Sequence, residues 1–344
     1  MINSFSQSDD TERGETGPSI SIIIVNYNGG HLLTACLETI HAQSFKEFEI
    51  ILADNASTDG SVTYVQDTFP AVKIVALSSN IGFAGANIAG LQYAKGDFIM
   101  LLNNDVEVDK NCIANLYYAM DADPRIGICA TKMIEYGKDI IDSAGDGFST
   151  NLKGFKRGEG ENEGKYDTGE FVFGACAGAA LYRRRMLEEI GFLDEDFFLI
   201  QEDTDLNFRA QLAGWKVVYV PSAVVYHKVR STIGHMSDMA IFYSLRNSEL
   251  VRIKNVPFSL FLRCLPEFAI GEILDFIYFA LKHGKFQTYV KAKIDVLKSL
   301  RKTLEKRKDI MKRIKVDNKY LYNIMTPAWN KKFLTMKIKK FLYG

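Results

Sequence analysis

Between Ser19 and Lys132, short apolar runs of strand length alternate with helical stretches, and this alternation restricts the fold more than any other feature. SIIIV is a strand, HLLTACLETIHAQ a helix, FEIILAD a strand and Val62 to Phe69 a helix; VKIVAL, AGANIAGLQYA, DFIMLL, NCIANLYYAMDAD and IGICATK continue the series. Strands that are apolar throughout, not only at every second residue, are buried on both faces, as parallel strands joined by crossover helices are. The sequence therefore predicts an α/β fold with a mainly parallel, doubly wound sheet.

Ligands of such sheets bind outside the carboxyl ends of the strands, and there the sequence is uniformly polar. SIIIV runs into Asn26-Tyr27-Asn28, FEIILA into Asp54-Asn55-Ala56-Ser57-Thr58-Asp59-Gly60, VKIVALSS into Asn80-Ile81-Gly82-Phe83-Ala84-Gly85-Ala86-Asn87, and DFIMLL into Asn103-Asn104-Asp105. One such end alone is ordinarily a turn; four together describe a rim. Asp54 either accepts hydrogen bonds from a nucleobase or ribose, or closes a turn ahead of the next helix. Asp105, behind two asparagines, offers hard oxygen donors for Mg²⁺ or Mn²⁺ on a diphosphate, or caps the turn near Asp109. His227 ends the last predicted strand with Lys228, Arg230, Ser231 and Thr232 behind it, an imidazole for a metal shell followed by groups suited to phosphate oxygens.

The stretch FFLIQEDTDLNFRAQLAGW holds Glu202, Asp203 and Asp205 within four positions, among apolar neighbours. Unpaired buried charges are costly, so the cluster needs partners, water or a task. Asp205 precedes Arg209 by one helical turn, a spacing that pairs them, and Gly214 stops the helix. Glu202 and Asp203 are left at the helix N-terminus, where the dipole favours negative charge; one of them serves as a base if the rim holds a nucleotide diphosphate.

VNYNG, ADNASTDGS, NIGFAGANIAG, LLNNDVEVD, FGACAGAALYRRR with GFLDEDFF, QEDTDLNFR, VVYH, and Tyr243 with Arg246-Asn247 follow one another in this order. Together they resemble the inverting family 2 glycosyltransferases of the GT-A fold, within them the rhamnosyltransferase-like branch, from about Ser19 to Asn255. The resemblance implies transfer of a sugar from a nucleotide-sugar donor, dTDP-rhamnose first, to a glycan or polyprenol-linked acceptor in cell-surface polysaccharide synthesis. It implies Asp54 at the pyrimidine base, Asp105 as the metal-binding carboxylate, His227 as a further metal or phosphate contact, and Asp203 as the general base. Asn26, Tyr27, Asn28, Asn80, Gly82, Asn87, Asn104, Glu202, Lys228 and Arg230 complete the expected donor-binding set, and Mg²⁺ or Mn²⁺ is the expected cofactor. Relatives often have two carboxylates where this chain has Asn103 and Asp105, which weakens the metal expectation, and relatives using UDP-hexose or galactofuranose donors share similar glycine-rich loops. A nucleotide-dependent oxidoreductase is disfavoured because G-x-G-x-x-G is absent and Gly82, Gly85 and Gly90 follow the third strand instead of the first. A non-catalytic nucleotide-sugar-binding protein fits poorly with a chain that retains Asp54, Asp105, Asp203 and His227.

Three regions are expected: a flexible tail over residues 1–18, polar and without a signal-peptide core; the sheet domain over 19–255; and a helical, basic region over 256–344. Residues 149–169, rich in glycine and charge, read as a mobile loop, a lid over the site. PFSLFLRCLPEFAIGEILDFIYFALKHG is apolar but broken by Arg263, Glu267, Glu272 and Asp275, which suits an interfacial or packed helix better than a bilayer span. Five scattered cysteines argue for reduced thiols and a cytosolic compartment.

The formal net charge of zero conceals a split. Residues 285–344 hold 18 Lys and Arg against 4 Asp and Glu, leaving the remainder net acidic. Val290, Leu297, Leu304 and Met311 recur every seven residues there, beside Ile294, Leu300 and Ile314. Such a helix lies on an anionic membrane surface, packs on its own domain, or forms a short coiled coil that gives a homodimer through the C-terminal helices. The apolar helix just before it supplies a second anchor, so a peripheral position on the inner face of the cell membrane is expected, and nucleic acid is not expected as a partner.

Overall fold

The computed structural model describes residues 17–228, 237–330 and 334–335, so nearly all of the expected N-terminal tail lies outside the described residues. The alternation appears as β1 (Ile20–Asn26), α1 (Gly30–His41), β2 (Phe48–Asp54), α2 (Ser61–Thr68), β3 (Lys73–Ala76), α3 (Gly82–Leu91), β4 (Phe98–Asn103), β5 (Val106–Val108), α4 (Cys112–Asp121) and β6 (Ile126–Glu135). Strands β3, β2, β1 and β4 lie side by side in parallel. Ile22 and Ile24 pack with Leu33 and Leu37 of α1, while Ile23 packs with Ala84 of α3. That two-sided burial is why these strands are apolar throughout.

The chain continues through β7 (Ile141–Ala144), β8 (Asp146–Ser149), β9 (Lys153–Lys156), β10 (Glu170–Phe171), β11 (Ala179–Arg183), α5 (Arg184–Ile190), α6 (Glu202–Leu212) and β12 (Lys216–His227). β11 enters antiparallel between β4 and β6, and β12 runs parallel beside β6, giving the sheet order β10-β12-β6-β11-β4-β1-β2-β3. KVVYV and AVVYH, which read as two segments, are one strand whose pairing with β6 shifts between Val220 and Val224; Pro221 has no amide to continue the ladder there. The expected loop over 149–169 is corrected in part: β8 and β9 form a hairpin that reaches Lys156, and a short helix lies at Glu163–Lys165. Glycine serves packing here, since a Cβ on Gly147 would stand 2.3 Å from the Phe155 ring.

Beyond β12 come α7 (Asp238–Asn255), α8 (Phe258–Asp275), a π-helical turn at Phe276–Lys282, α9 (Phe286–Lys312) and α10 (Asn318–Ile324). These helices share a core with the sheet domain: Leu250, Val251, Leu260, Cys264, Leu321 and Met325 pack with Phe148, Phe173 and Phe208. α9 lies along α7 through the buried Ala292 and Val296. Much of its positive charge is spent on the acidic body: Lys293 pairs with Glu249 and Glu272, Lys302 with Asp196, and Lys306 with Asp194 and Asp196.

One irregular stretch sets the position of α6. Phe198, Ile200 and Gln201 all have positive φ, a conformation that costs a non-glycine residue roughly 1–2 kcal/mol. Asn247 of α7 holds it, its Nδ2 donating to the carbonyls of Phe197 (2.8 Å), Leu199 (2.8 Å) and Ile200 (2.7 Å). Arg246 donates to the carbonyl of Asp196 at 2.6 Å, and Tyr243 stacks on Phe198.

Glu272 of α8 joins the C-terminal helices to the body through Arg252 (2.7 Å), Lys293 (2.6 Å) and Lys153 (3.9 Å). Burial raises its pKa, but these cations more than offset that and hold it at about 2, against an ordinary 4.5. A depressed folded-state pKa contributes stability above the unfolded value that is lost as pH falls through the folded one. Glu272→Gln is therefore expected to lower unfolding free energy at pH 7 by roughly 2–3 kcal/mol. In urea titrations the gap from the native chain should close between about pH 4.5 and pH 2; a gap independent of pH would refute the ionic contribution.

Candidate active site

The ends of β1, β2 and β4 finish at one level because Asn26 is in register with Asp54 and Val25 with Asn103. Asn26, fully buried, ties the ends together: its Nδ2 donates to Asp54 (2.9 Å), Ser57 (3.0 Å) and Ser61 (3.0 Å), and its Oδ1 accepts from Asn104 Nδ2 (3.0 Å) and the Gly29 amide (3.2 Å). Gly29 is small of necessity, since a Cβ would stand 2.4 Å from both Asn26 and Asn104. Asp54 accepts from the Ser57 amide (2.9 Å) and hydroxyl (2.6 Å) as well, which is the turn geometry its position also suggested. Asn26, Asn104 and Asp54 thus brace the rim from within.

Tyr27 stands exposed beside them, and Asn28, at φ 53°, accepts from the Thr58 amide at 2.8 Å. On the adjoining loop Asn80 accepts from the Gly82 amide at 2.9 Å, and Asn55 bridges β2 to it through the Gly82 carbonyl (3.1 Å) and the Ile81 amide (3.1 Å). Gly82 has φ 81°, and a Cβ there would meet Phe198 at 2.5 Å. Asn87 is buried, with Nδ2 on the Phe83 carbonyl (2.9 Å) and Oδ1 without a hydrogen-bond partner.

Asp105 and His227 come together through main-chain pairing, because β5 lies antiparallel on β12 with Val106 opposite His227. His227 Nε2 stands 3.4 Å from Asp105 Oδ1, and His227 Nδ1 is 2.8 Å from Asp142 Oδ2. Burial lowers the imidazole pKa, but hydrogen bonds to Asp105 and Asp142 outweigh it and carry it up to about 9. Asp142 in turn is salt-bridged to Lys156 at 2.7 Å; burial raises its pKa, and His227 and Lys156 pull it down to about 2. Lys228, expected at phosphate, pairs with Glu107 at 2.7 Å. Arg230, with Ser231 and Thr232, lies outside the described residues. Among the described residues no three His, Cys, Asp or Glu side chains cluster to enclose a metal. One carboxylate and one imidazole 3.4 Å apart nevertheless fit the spacing of two ligands of one cation.

At the head of α6 the three carboxylates separate by role. Asp205, inaccessible to solvent, is bound by Arg209 (2.9 Å), Lys254 (2.8 Å) and Asn255 (2.8 Å). Asp203 accepts from the Ala177 (3.2 Å) and Thr204 (2.6 Å) amides; desolvation raises its pKa against those bonds. Glu202 is buried with Oε2 lacking a hydrogen-bond partner among the described residues, and burial followed by the Asp203 charge lifts its pKa well above the usual range. Asp146 interacts with both Asp203 and Lys156, and burial, then Asp203, pushes its pKa up to about 8. Direct contacts thus run from Asp105 through His227 and Asp142 to Lys156, and the charges of Lys156 and Asp203 bear on the buried Asp146. Asp142, Asp146 and Lys156 were not singled out in the sequence; the only signal was an aspartate pair in DSAGDGF, inside a segment whose glycines suggested a loop.

Residues 21–191 match the family model described as glycosyl transferase family 2. The N-acetylglucosaminyl-diphospho-decaprenol L-rhamnosyltransferase of Mycobacterium tuberculosis (strain ATCC 25618 / H37Rv) is 28% identical over 237 residues, 62% of this chain and 77% of that protein. An N-acetylglucosaminyltransferase of Rhizobium sp. (strain N33) is 27% identical over 246 residues, 66% of this chain and 52% of its own. Among solved structures, the mannosyltransferase PcManGT from Pyrobaculum calidifontis in complex with GDP-Man and Mn²⁺ superposes with TM-score 0.54 at 16% identity, over 96% of this chain and 88% of that one. GalNAc-T7 with UDP, GalNAc and Mn²⁺ gives 0.56 at 20% identity, over 70% and 48%. With the sheet order and the composition of the rim, these likenesses make the chain a GT-A-fold enzyme that belongs to the family 2 glycosyltransferases, rhamnosyltransferase-like in its relatives.

Proposed function

We propose that this enzyme transfers L-rhamnose from dTDP-rhamnose to a hydroxyl of a polyprenol-linked or glycan acceptor, with inversion at the anomeric carbon. The observation that carries the proposal is the Asp105–His227 pair, 3.4 Å apart where β5 meets the end of β12. The donor and acceptor assignment draws support from the mycobacterial relative at 28% identity, whose name specifies L-rhamnose and a decaprenol-linked substrate. The second reading, a UDP-hexose or galactofuranose donor, keeps the same machinery.

In this scheme the rim of Tyr27, Asn28, Asn80 and Gly82, braced by Asn26, Asp54 and Asn104, takes the nucleoside. Asp105 and His227 would hold Mg²⁺ or Mn²⁺, which would supply positive charge to the departing diphosphate. Asp203 accepts the proton of the acceptor hydroxyl as its oxygen bonds to the anomeric carbon and the bond from that carbon to the diphosphate oxygen breaks. Desolvation raises its pKa, which strengthens it as a base. Asp142 holds His227 so that Nε2 faces Asp105, and Lys156 fixes Asp142 from behind.

Thermal shifts with Mn²⁺ and a panel of donors identify the sugar nucleotide. At about a hundred times its Kd a ligand adds roughly 2.7 kcal/mol, and dTDP-rhamnose is expected to stabilise above UDP-galactose and UDP-N-acetylglucosamine; preference for a UDP-sugar would discard the rhamnosyl assignment. Asp203→Asn is expected to slow turnover by at least about a hundredfold while calorimetric dTDP affinity stays put; near-native turnover would hand the base role to Glu202. Asp142→Asn is expected to weaken Mn²⁺ binding, read by paramagnetic resonance in the presence of dTDP, by about 10–100-fold. Unchanged Mn²⁺ affinity would leave Asp142 a purely structural partner of Lys156.

A further inference from the structure

The side chains that the C-terminal helices turn outward are sorted by charge. Along α8 and the π-helical turn Leu262, Ile273 and Leu281 are 50–62% exposed, and on α9 Phe286 and Leu297 are 53% and 69% exposed. On α8 the exposed apolar positions recur at steps of three and four, so they form one stripe roughly 30 Å long. It meets the stripe of α9 where the Phe276 ring packs on Phe286. Arg263, Lys282, Lys291 and Lys298 are exposed along the same span. None of its four acidic residues is exposed from Phe258 to Leu304. Three of them turn to cations of the body or of α9: Glu272 to Arg252 and Lys293, Asp275 to Lys153, and Asp295 to Arg246.

A surface helix ordinarily presents its polar side to water and its apolar side to the core. Here the outward face is apolar and basic, and the carboxylates face inward. We propose that this outward face of α8, the π-helical turn and the first turns of α9 is a docking surface for an anionic phospholipid bilayer, entered in the plane of the interface. No described helix is long and apolar enough to cross a membrane, so the elements lie along the surface, with apolar side chains among the acyl chains and cations at the headgroups. A second copy fits less well, because a two-fold contact would set like cations against each other, and the exposed carboxylate beside this face, Asp238, is already paired with Lys285. The inference deepens the proposed function by placing a polyprenol-linked acceptor where the enzyme docks. It is tested without donor or acceptor, so each reading fails separately.

The test is flotation of the full chain with phosphatidylcholine vesicles with and without phosphatidylglycerol, alongside analytical ultracentrifugation without lipid. The native protein is expected to float with the phosphatidylglycerol vesicles. The triple variant Leu262→Glu, Ile273→Glu, Leu281→Glu should lose that binding at least about tenfold with its thermal midpoint unchanged, since the three side chains are exposed. Lys282→Glu with Lys291→Glu and Lys298→Glu should remove the preference for phosphatidylglycerol. Absence of binding by the native protein, equal binding by the apolar triple variant, or a native dimer that this variant dissociates while vesicle binding persists would each overturn the proposal.

Discussion

The carboxylate of Asp205 is the charge around which the second half of the molecule is arranged. It is inaccessible to water, and Arg209, Lys254 and Asn255 approach it from two helices. A buried ion pair is stable only with its full set of partners, and removing one leaves a charge that nothing else satisfies. α6 and α7 must therefore keep one mutual placement, and that placement puts Asn247 of α7 under the carbonyls of the left-handed stretch before α6. The head of α6, with Glu202 and Asp203, is positioned by charge below it and by amide hydrogen bonds beside it. The three clustered carboxylates thus divide into one that fixes structure and two, at the helix head, to which the proposed chemistry falls.

The first half of the fold was legible because two-sided burial leaves an apolar run that no other environment produces. β1, β2 and β4 and the helices between them were read close to their observed limits, and the Asp205–Arg209 pair followed from helical spacing alone. The second half was harder. β11 enters antiparallel and β12 continues through Pro221, so neither announces itself by alternation. The glycine-rich β8–β9 segment read as a loop, whereas Gly147 admits the Phe155 ring and Gly154 admits the Thr204 side chain. In the site, residue types at strand ends were visible, but orientation was not. Asn26 and Asp54 were expected to meet a ligand and in the fold bind chiefly each other and their neighbours. Asp142 and Lys156 acquire meaning only once His227 is placed beside them.

The basic C-terminal region shows why a charge count is a poor guide to a partner. Its excess of lysine and arginine suggested a polyanion outside the molecule, yet Lys293, Lys302 and Lys306 are engaged by carboxylates of the acidic body. Internal neutralisation thus takes up part of the basic end's charge. What remains outward-facing is distinguished by the absence of exposed acid between Phe258 and Leu304 more than by the amount of positive charge.

The meeting of Asp105 with His227 has an evolutionary consequence. Their proximity is written into a three-residue antiparallel ladder, with His227 opposite Val106, Tyr226 opposite Glu107 and Val225 opposite Val108. Strand pairing shifts only by whole residues, and a slip of one turns every side chain to the opposite face. The pair is thus digital: packing changes elsewhere have little leverage to loosen it by degrees, and a descendant of this chain would lose it by abrupt re-registration or by replacement of one partner outright. Drift in specificity should accumulate in the loops of the rim, while this two-stranded hinge pin stays as it is.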